Sequence, residues 1–127
     1  MATADIRHTV LVVDDEEAIR LVCRVNLELD GYRVLEADGL AEARRLLVDE
    51  PVRVVLLDLN LGVERTDELL EELRRRTPPV AVALVTGSPD ATRTERPEAD
   101  AVLAKPFDLA ELADTVRRLA GLTAAER

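Results

Sequence analysis

A doubly wound α/β fold with a parallel sheet is predicted by two features of this 127-residue sequence and one general rule of chain topology. Short apolar runs recur without in/out alternation, as expected of strands covered on both faces. Longer amphipathic stretches separate them, so strand and helix signals alternate along the chain. Right-handed crossovers between parallel strands then place helices on both faces of the sheet.

Val10-Leu11-Val12-Val13 is the first apolar run. Residues 16–29 follow as a helix with Ile19, Val22, Cys23 and Leu27 on one face, and Gly31 serves as its C-terminal cap. Tyr32 to Ala37 reads as a shorter strand nearer an edge, and residues 40–49 as a helix presenting Leu40, Ala43, Leu46 and Leu47. Val54-Val55-Leu56-Leu57 is a central strand, followed by a helix over 67–76 with Leu69, Leu70 and Leu73 inward. Val80 to Val85 is the fourth strand and Ala101 to Ala104 the fifth. Between these two, Ser88 and Pro89 start a short helix that Pro97 stops at Arg96. Ala91 is its sole apolar residue from Asp90 on, so it has no stripe to bury, and the segment between the fourth and fifth strands is expected to be the least regular part of the fold, with a shorter, more polar and more mobile surface. The last helix opens on a capping box, Asp108 with Glu111, ahead of Leu109, Leu112, Ala113, Val116 and Leu119. The tail from Gly121 to Arg127 is expected to fray.

Composition narrows the function. Apolar residues are 47% and charged residues 34% of the chain, a globular balance that suits one domain over 1–127 with its core at about 9–120. A single cysteine, Cys23, excludes an internal disulfide framework and any multi-cysteine zinc site. The first ten residues show no secretory signal and no apolar run approaches a membrane span, so the expected setting is cytoplasmic. Seventeen basic against 26 acidic residues leave a net charge of −9, which disfavours direct binding to phosphate backbones. Tyr32 and Phe107 are too few for base stacking. Lys105 is the only lysine among those 17 basic residues. Genome composition alone can produce an arginine bias, but a lone ammonium also marks a place where a compact, flexible point charge is needed.

The residues that end the strands carry chemistry. The first run stops at Asp14-Asp15, the third at Asp58, the fourth at Thr86 and the fifth at Lys105. Ligands of open parallel sheets bind outside the carboxyl ends of the strands, where strand order reverses. Taken singly, each residue has a plainer role as turn former, cap or surface charge. Three carboxylates, a hydroxyl and an ammonium at four strand ends are better explained by one shared site. Such a set suits Mg²⁺, which takes one or two carboxylates and keeps waters. A carboxylate is also a competent nucleophile for phosphoryl transfer, with cation, ammonium and hydroxyl neutralising the transferred oxygens.

With these residues in place the sequence resembles a response-regulator receiver domain of two-component signalling. The resemblance runs from about Thr9 to Ala120 and is carried by Val10-Leu11-Val12-Val13-Asp14-Asp15-Glu16, Gly31-Tyr32-Arg33-Val34, Glu36-Ala37-Asp38-Gly39, Leu56-Leu57-Asp58-Leu59, Leu84-Val85-Thr86-Gly87 and Lys105-Pro106-Phe107. It implies a flavodoxin-like strand order 2-1-3-4-5 and an aspartyl-phosphate on Asp58, formed from a phosphohistidine of a histidine kinase or phosphotransfer partner. Asp15, Asp58 and the backbone carbonyl of Asn60 would bind Mg²⁺, with Asp14 acting through water. Lys105 would pair with Asp58 and then with the phosphoryl group, and Thr86 would turn inward to it, switching the domain's conformation. Gly87 would leave access to Asp58. The Lys105–Pro106 bond is expected to be cis. Such a domain is not a turnover enzyme on other substrates.

Several positions depart from the family pattern. Gly62 and Thr66 stand where the family commonly has Pro and Gly, and Val102 replaces the usual aromatic three residues before the Lys. The interval from Thr86 to Lys105 is 19 residues, about three short of typical members, with the shortfall around the fourth helix. A shorter, more polar fourth helix favours a monomer. The rival reading is a pseudo-receiver, a protein-interaction module that works without phosphorylation. The intact Asp14, Asp15, Asp58, Thr86 and Lys105 set argues against it, while Val102 and the short fourth helix argue for it.

Overall fold

The computed structural model describes residues 8–61 and 63–125. Five parallel strands form one sheet in the order β2-β1-β3-β4-β5, where β1 is Thr9–Val13, β2 Arg33–Ala37, β3 Val52–Asp58, β4 Ala81–Thr86 and β5 Ala101–Ala104. Helices α1 (Glu17–Leu29), α2 (Leu40–Asp49), α3 (Val63–Arg74), α4 (Pro89–Glu95) and α5 (Leu109–Ala125) alternate with them, and a short 3-10 turn, Leu59–Leu61, follows β3. Both the doubly wound class and the strand order agree with expectation. No helix among the described residues is long and apolar enough to cross a membrane.

The unbroken apolar runs are explained by two cores, one on each face of the sheet. Successive strand residues point to opposite sides, so Val10 and Val12 join Cys23 and Leu27 of α1 and Leu112, Val116 and Leu119 of α5. Leu11 and Val13 face the other way, against Ala43 and Leu47 of α2 and Leu69, Leu70 and Leu73 of α3. Leu11, Leu57 and Leu84 are fully buried, and each contributes roughly 1.5–3 kcal/mol by leaving water. These two layers make the sheet a rigid base for whatever stands on its edge.

Helix ends follow their local chemistry. Gly31 has φ 100, a left-handed value that favours glycine, and its N–H bonds the Glu28 carbonyl just past α1. At α5 the capping box is reciprocal: Glu111 N–H donates to Asp108 Oδ1 at 2.7 Å and Asp108 N–H to Glu111 Oε1 at 3.1 Å. Pro89 occupies the first turn of α4, although Ser88 makes no side-chain cap there, and Arg96 leaves the helix with φ −130 and ψ 64.

Four sequence expectations need correction. The third helix starts at Val63 rather than near 67, because its first turn is mostly polar and gives no periodic signal. Val22 is 43% exposed, so α1 turns Cys23 and Leu27 inward and leaves Val22 beside the core stripe. Gly121 does not end α5, which continues through Ala125; one interior glycine costs only about 1 kcal/mol. Finally, α4 does bury a residue, Thr92, while Ala91 faces out. Gly62 and the final two residues of the tail lie outside the described residues.

Candidate functional site

Strand order reverses between β1 and β3, whose neighbours β2 and β4 lie on opposite sides. Val13 pairs with Leu57 across this junction. The next residues, Asp14 and Asp58, therefore emerge side by side at the carboxyl edge. Asp58 in turn lies beside Val85 of β4, Thr86 pairs with Ala104, and Lys105 follows. The parallel register alone thus assembles acid, acid, hydroxyl and ammonium along one edge.

The side chains then close on one another. Lys105 Nζ lies 3.1 Å from Asp14 Oδ2, 3.4 Å from Asp58 Oδ2 and 3.6 Å from Glu16 Oε1. The side chains of Asp14 and Asp58 are 3% and 1% exposed, so water cannot take the place of this ammonium. The second oxygen of each carboxylate accepts a backbone N–H: Glu16 N–H donates to Asp14 Oδ1 at 2.9 Å and Asn60 N–H to Asp58 Oδ1 at 3.0 Å. The 3-10 turn after β3 thus holds Asn60 against Asp58. The Lys105–Pro106 peptide is cis, as is Thr77–Pro78.

Burial sets the electrostatics. It pushes the Asp58 carboxyl above its ordinary value, aided by the charge of Asp14; the Asn60 N–H and Lys105 pull the other way without prevailing. Burial pulls Lys105 down, but its hydrogen bond and attraction to Asp14, and then those to Asp58, win and raise it. The Cys23 thiol beneath is pushed up to about 12, first by burial and then by Asp14, so it stays protonated and inert.

Asp14, Asp15 and Asp58 each offer a carboxylate oxygen, and these atoms lie within 4.8 Å of one another. Asp14 and Asp58 are buried and Asp15 is exposed. Hard oxygen donors that close, with one side open to water, fit Mg²⁺. Thr86 is also buried, but its hydroxyl faces α4: Oγ1 accepts Ser88 N–H at 3.0 Å and the Thr92 hydroxyl at 3.3 Å. An added Cβ at Gly87 would meet nothing within 4 Å, so there is space beside Thr86.

Two supporting residues were not legible as site residues in the sequence. Arg20 of α1 donates through Nη1 to the Asp14 carbonyl at 2.7 Å and through Nε to Glu36 of β2 at 3.1 Å, bracing the Asp14 backbone. Thr92 is the other. Nothing local signals either one, because their partners are reached only once helices pack on the sheet.

The family model for the response regulator receiver domain matches residues 10–117. The transcriptional regulatory protein KdpE of Mycobacterium tuberculosis is 36% identical over 115 residues, which is 86% of this chain and 51% of that protein. The sensory/regulatory protein RpfC of Xanthomonas campestris is 35% identical over 117 residues, 87% of this chain and 16% of that protein. The chain therefore spans about half or less of these relatives. Among solved structures, the signal receiver domain of an HD domain-containing protein from Pseudomonas fluorescens is 27% identical, with a TM-score of 0.84 over 100% of this chain and 96% of that one.

Proposed function

Because the chain belongs to the response regulator receiver domain family of two-component systems, we propose that it is a phospho-acceptor signalling domain with Asp58 as the acceptor. One observation carries this reading: a carboxylate 1% exposed, at the strand-order reversal, stands beside a lysine ammonium and two further carboxylates. A phosphohistidine on a histidine kinase or phosphotransfer protein is the donor. An Asp58 oxygen attacks phosphorus, the P–N bond breaks as the P–O bond forms, and the imidazole leaves.

The chain's own residues prepare that step. The Asn60 N–H orients Asp58 by holding Oδ1. Lys105, shared between Asp14 and Asp58, shifts toward the incoming phosphoryl oxygens as negative charge builds there. Thr86 donates its hydroxyl to a phosphoryl oxygen and in doing so biases a two-state domain. Asp15, Asp58 and the Asn60 carbonyl would hold Mg²⁺, with Asp14 acting through water, and the cation would supply the remaining charge neutralisation. The domain acts as a cytoplasmic monomer on a downstream protein, without direct contact to nucleic acid or membrane.

Intact mass after incubation with acetyl phosphate and Mg²⁺ tests the reading. One phosphoryl adduct is expected on the wild type, with none on Asp58→Asn and none in EDTA. An unchanged yield in either condition overturns it.

A further inference from the structure

We propose that Thr92 of α4 is a positioning residue for Thr86, holding the Thr86 hydroxyl outward until a phosphoryl group on Asp58 draws it in. This rests on the phospho-acceptor reading above and adds to it a restraint outside the carboxylate cluster.

The juxtaposition is specific. Thr86 and Thr92 are 7% and 3% exposed, and Thr92 is the one buried residue of α4. A short helix that turns a single side chain inward would ordinarily turn in an apolar one. A buried hydroxyl is costly unless it is bonded, and Thr92 Oγ1 bonds to Thr86 Oγ1 at 3.3 Å. A hydroxyl oxygen has two acceptor positions. On Thr86 both are filled from the α4 side, one by Thr92 and one by the Ser88 N–H at 3.0 Å. Among the described residues no hydrogen bond joins the Thr86 hydroxyl to Asp58.

Thr92 is also held from moving with its partner. Its N–H donates to the Ser88 carbonyl at 3.0 Å, and its own carbonyl accepts the Arg96 N–H at 2.8 Å. Arg96, at the end of the helix, grips Asp67 of α3 through Nε at 2.7 Å and Nη2 at 3.3 Å. If Thr86 swings inward, Thr92 stays behind and the bond from its buried hydroxyl to Thr86 is lost. The resting conformation is therefore favoured by about fivefold, the equilibrium weight of one hydrogen bond.

Beryllofluoride, a phosphoryl analogue, titrated with Mg²⁺ and followed by the Gly87 and Ser88 amide resonances, tests this. Thr92→Val keeps the shape and removes the donor, so its apparent affinity should rise about fivefold. Thr92→Ser restores the hydroxyl and should match the wild type. In a Thr86→Ala background, Thr92→Val should change nothing, since the hydroxyl it restrains is gone. If Thr92→Val does not fold, Thr92→Ala serves as the hydroxyl-free variant. Unchanged or weaker binding in the hydroxyl-free variant, or an equal gain without the Thr86 hydroxyl, overturns the role of Thr92 alone. A wild type that binds no beryllofluoride overturns the phospho-acceptor reading and this one with it.

Discussion

Replacing Lys105 with methionine isolates the electrostatics of the site. The ammonium lies 3.1 Å from Asp14 and 3.4 Å from Asp58. At an effective dielectric near 20 each attraction is worth about 5 kcal/mol before desolvation. Much of that gross figure is offset by the water Lys105 gave up, and its side chain is itself 17% exposed. The carboxylates have no such recourse, being 3% and 1% exposed with oxygens within 4.8 Å of each other. Stranding them should cost about 3 kcal/mol, the lower end for breaking a buried pair.

The pH dependence has a definite sign. Asp58 already has a raised folded pKa, and losing Lys105 raises it further. A raised carboxyl contributes stability below its unfolded pKa and loses it as pH rises through the folded one. The deficit of Lys105→Met should therefore be largest at neutral pH and shrink as the buffer is acidified toward the ordinary carboxylate range. Urea unfolding in EDTA, followed by far-ultraviolet circular dichroism, reads both effects. Added Mg²⁺ should stabilise the variant more than the wild type, since it meets more uncompensated charge. Equal stability at neutral pH, or a deficit that grows on acidification, would refute this account.

Two further perturbations separate the site from its scaffold. Asp58→Asn removes the buried charge whose burial raises its pKa, so in EDTA it should be more stable than the wild type at pH 7, with the advantage vanishing below the unfolded carboxyl pKa; urea midpoints at pH 7 and pH 3 check this. Asp108→Ala opens the capping box of α5 and should cost about 1 kcal/mol, lowering the thermal midpoint while leaving the yield of the proposed acetyl phosphate adduct unchanged.

The parts of the fold legible in the sequence are those that depend on near neighbours. Helix α2 occupies residues 40–49 and strand β5 Ala101–Ala104, as the periodicity indicates. The Asp108 and Glu111 cap is visible because its members are three residues apart. Errors fall where the local signal is silent. The first turn of α3 carries no apolar stripe, yet Thr66 within it is fully buried. Thr92 is polar on a polar helix, so the spacing of apolar residues would turn it outward, whereas its buried partner turns it in.

The sequence by itself determined the β–α alternation, the strand order through its family resemblance, and which residues end the strands. Capping and amphipathic periodicity act within about four residues along the chain, so they are written locally. Tertiary structure decided which of these residues touch. Lys105 reaches Asp58 across 47 residues and lies closer still to Asp14, while Arg20 meets Glu36 across 16 and Thr86 is claimed by a helix rather than by the carboxylates. Those pairings follow from parallel register and from helices packing on the two faces of one sheet, where distances of a few tenths of an ångström select the partner of each buried charge or hydroxyl.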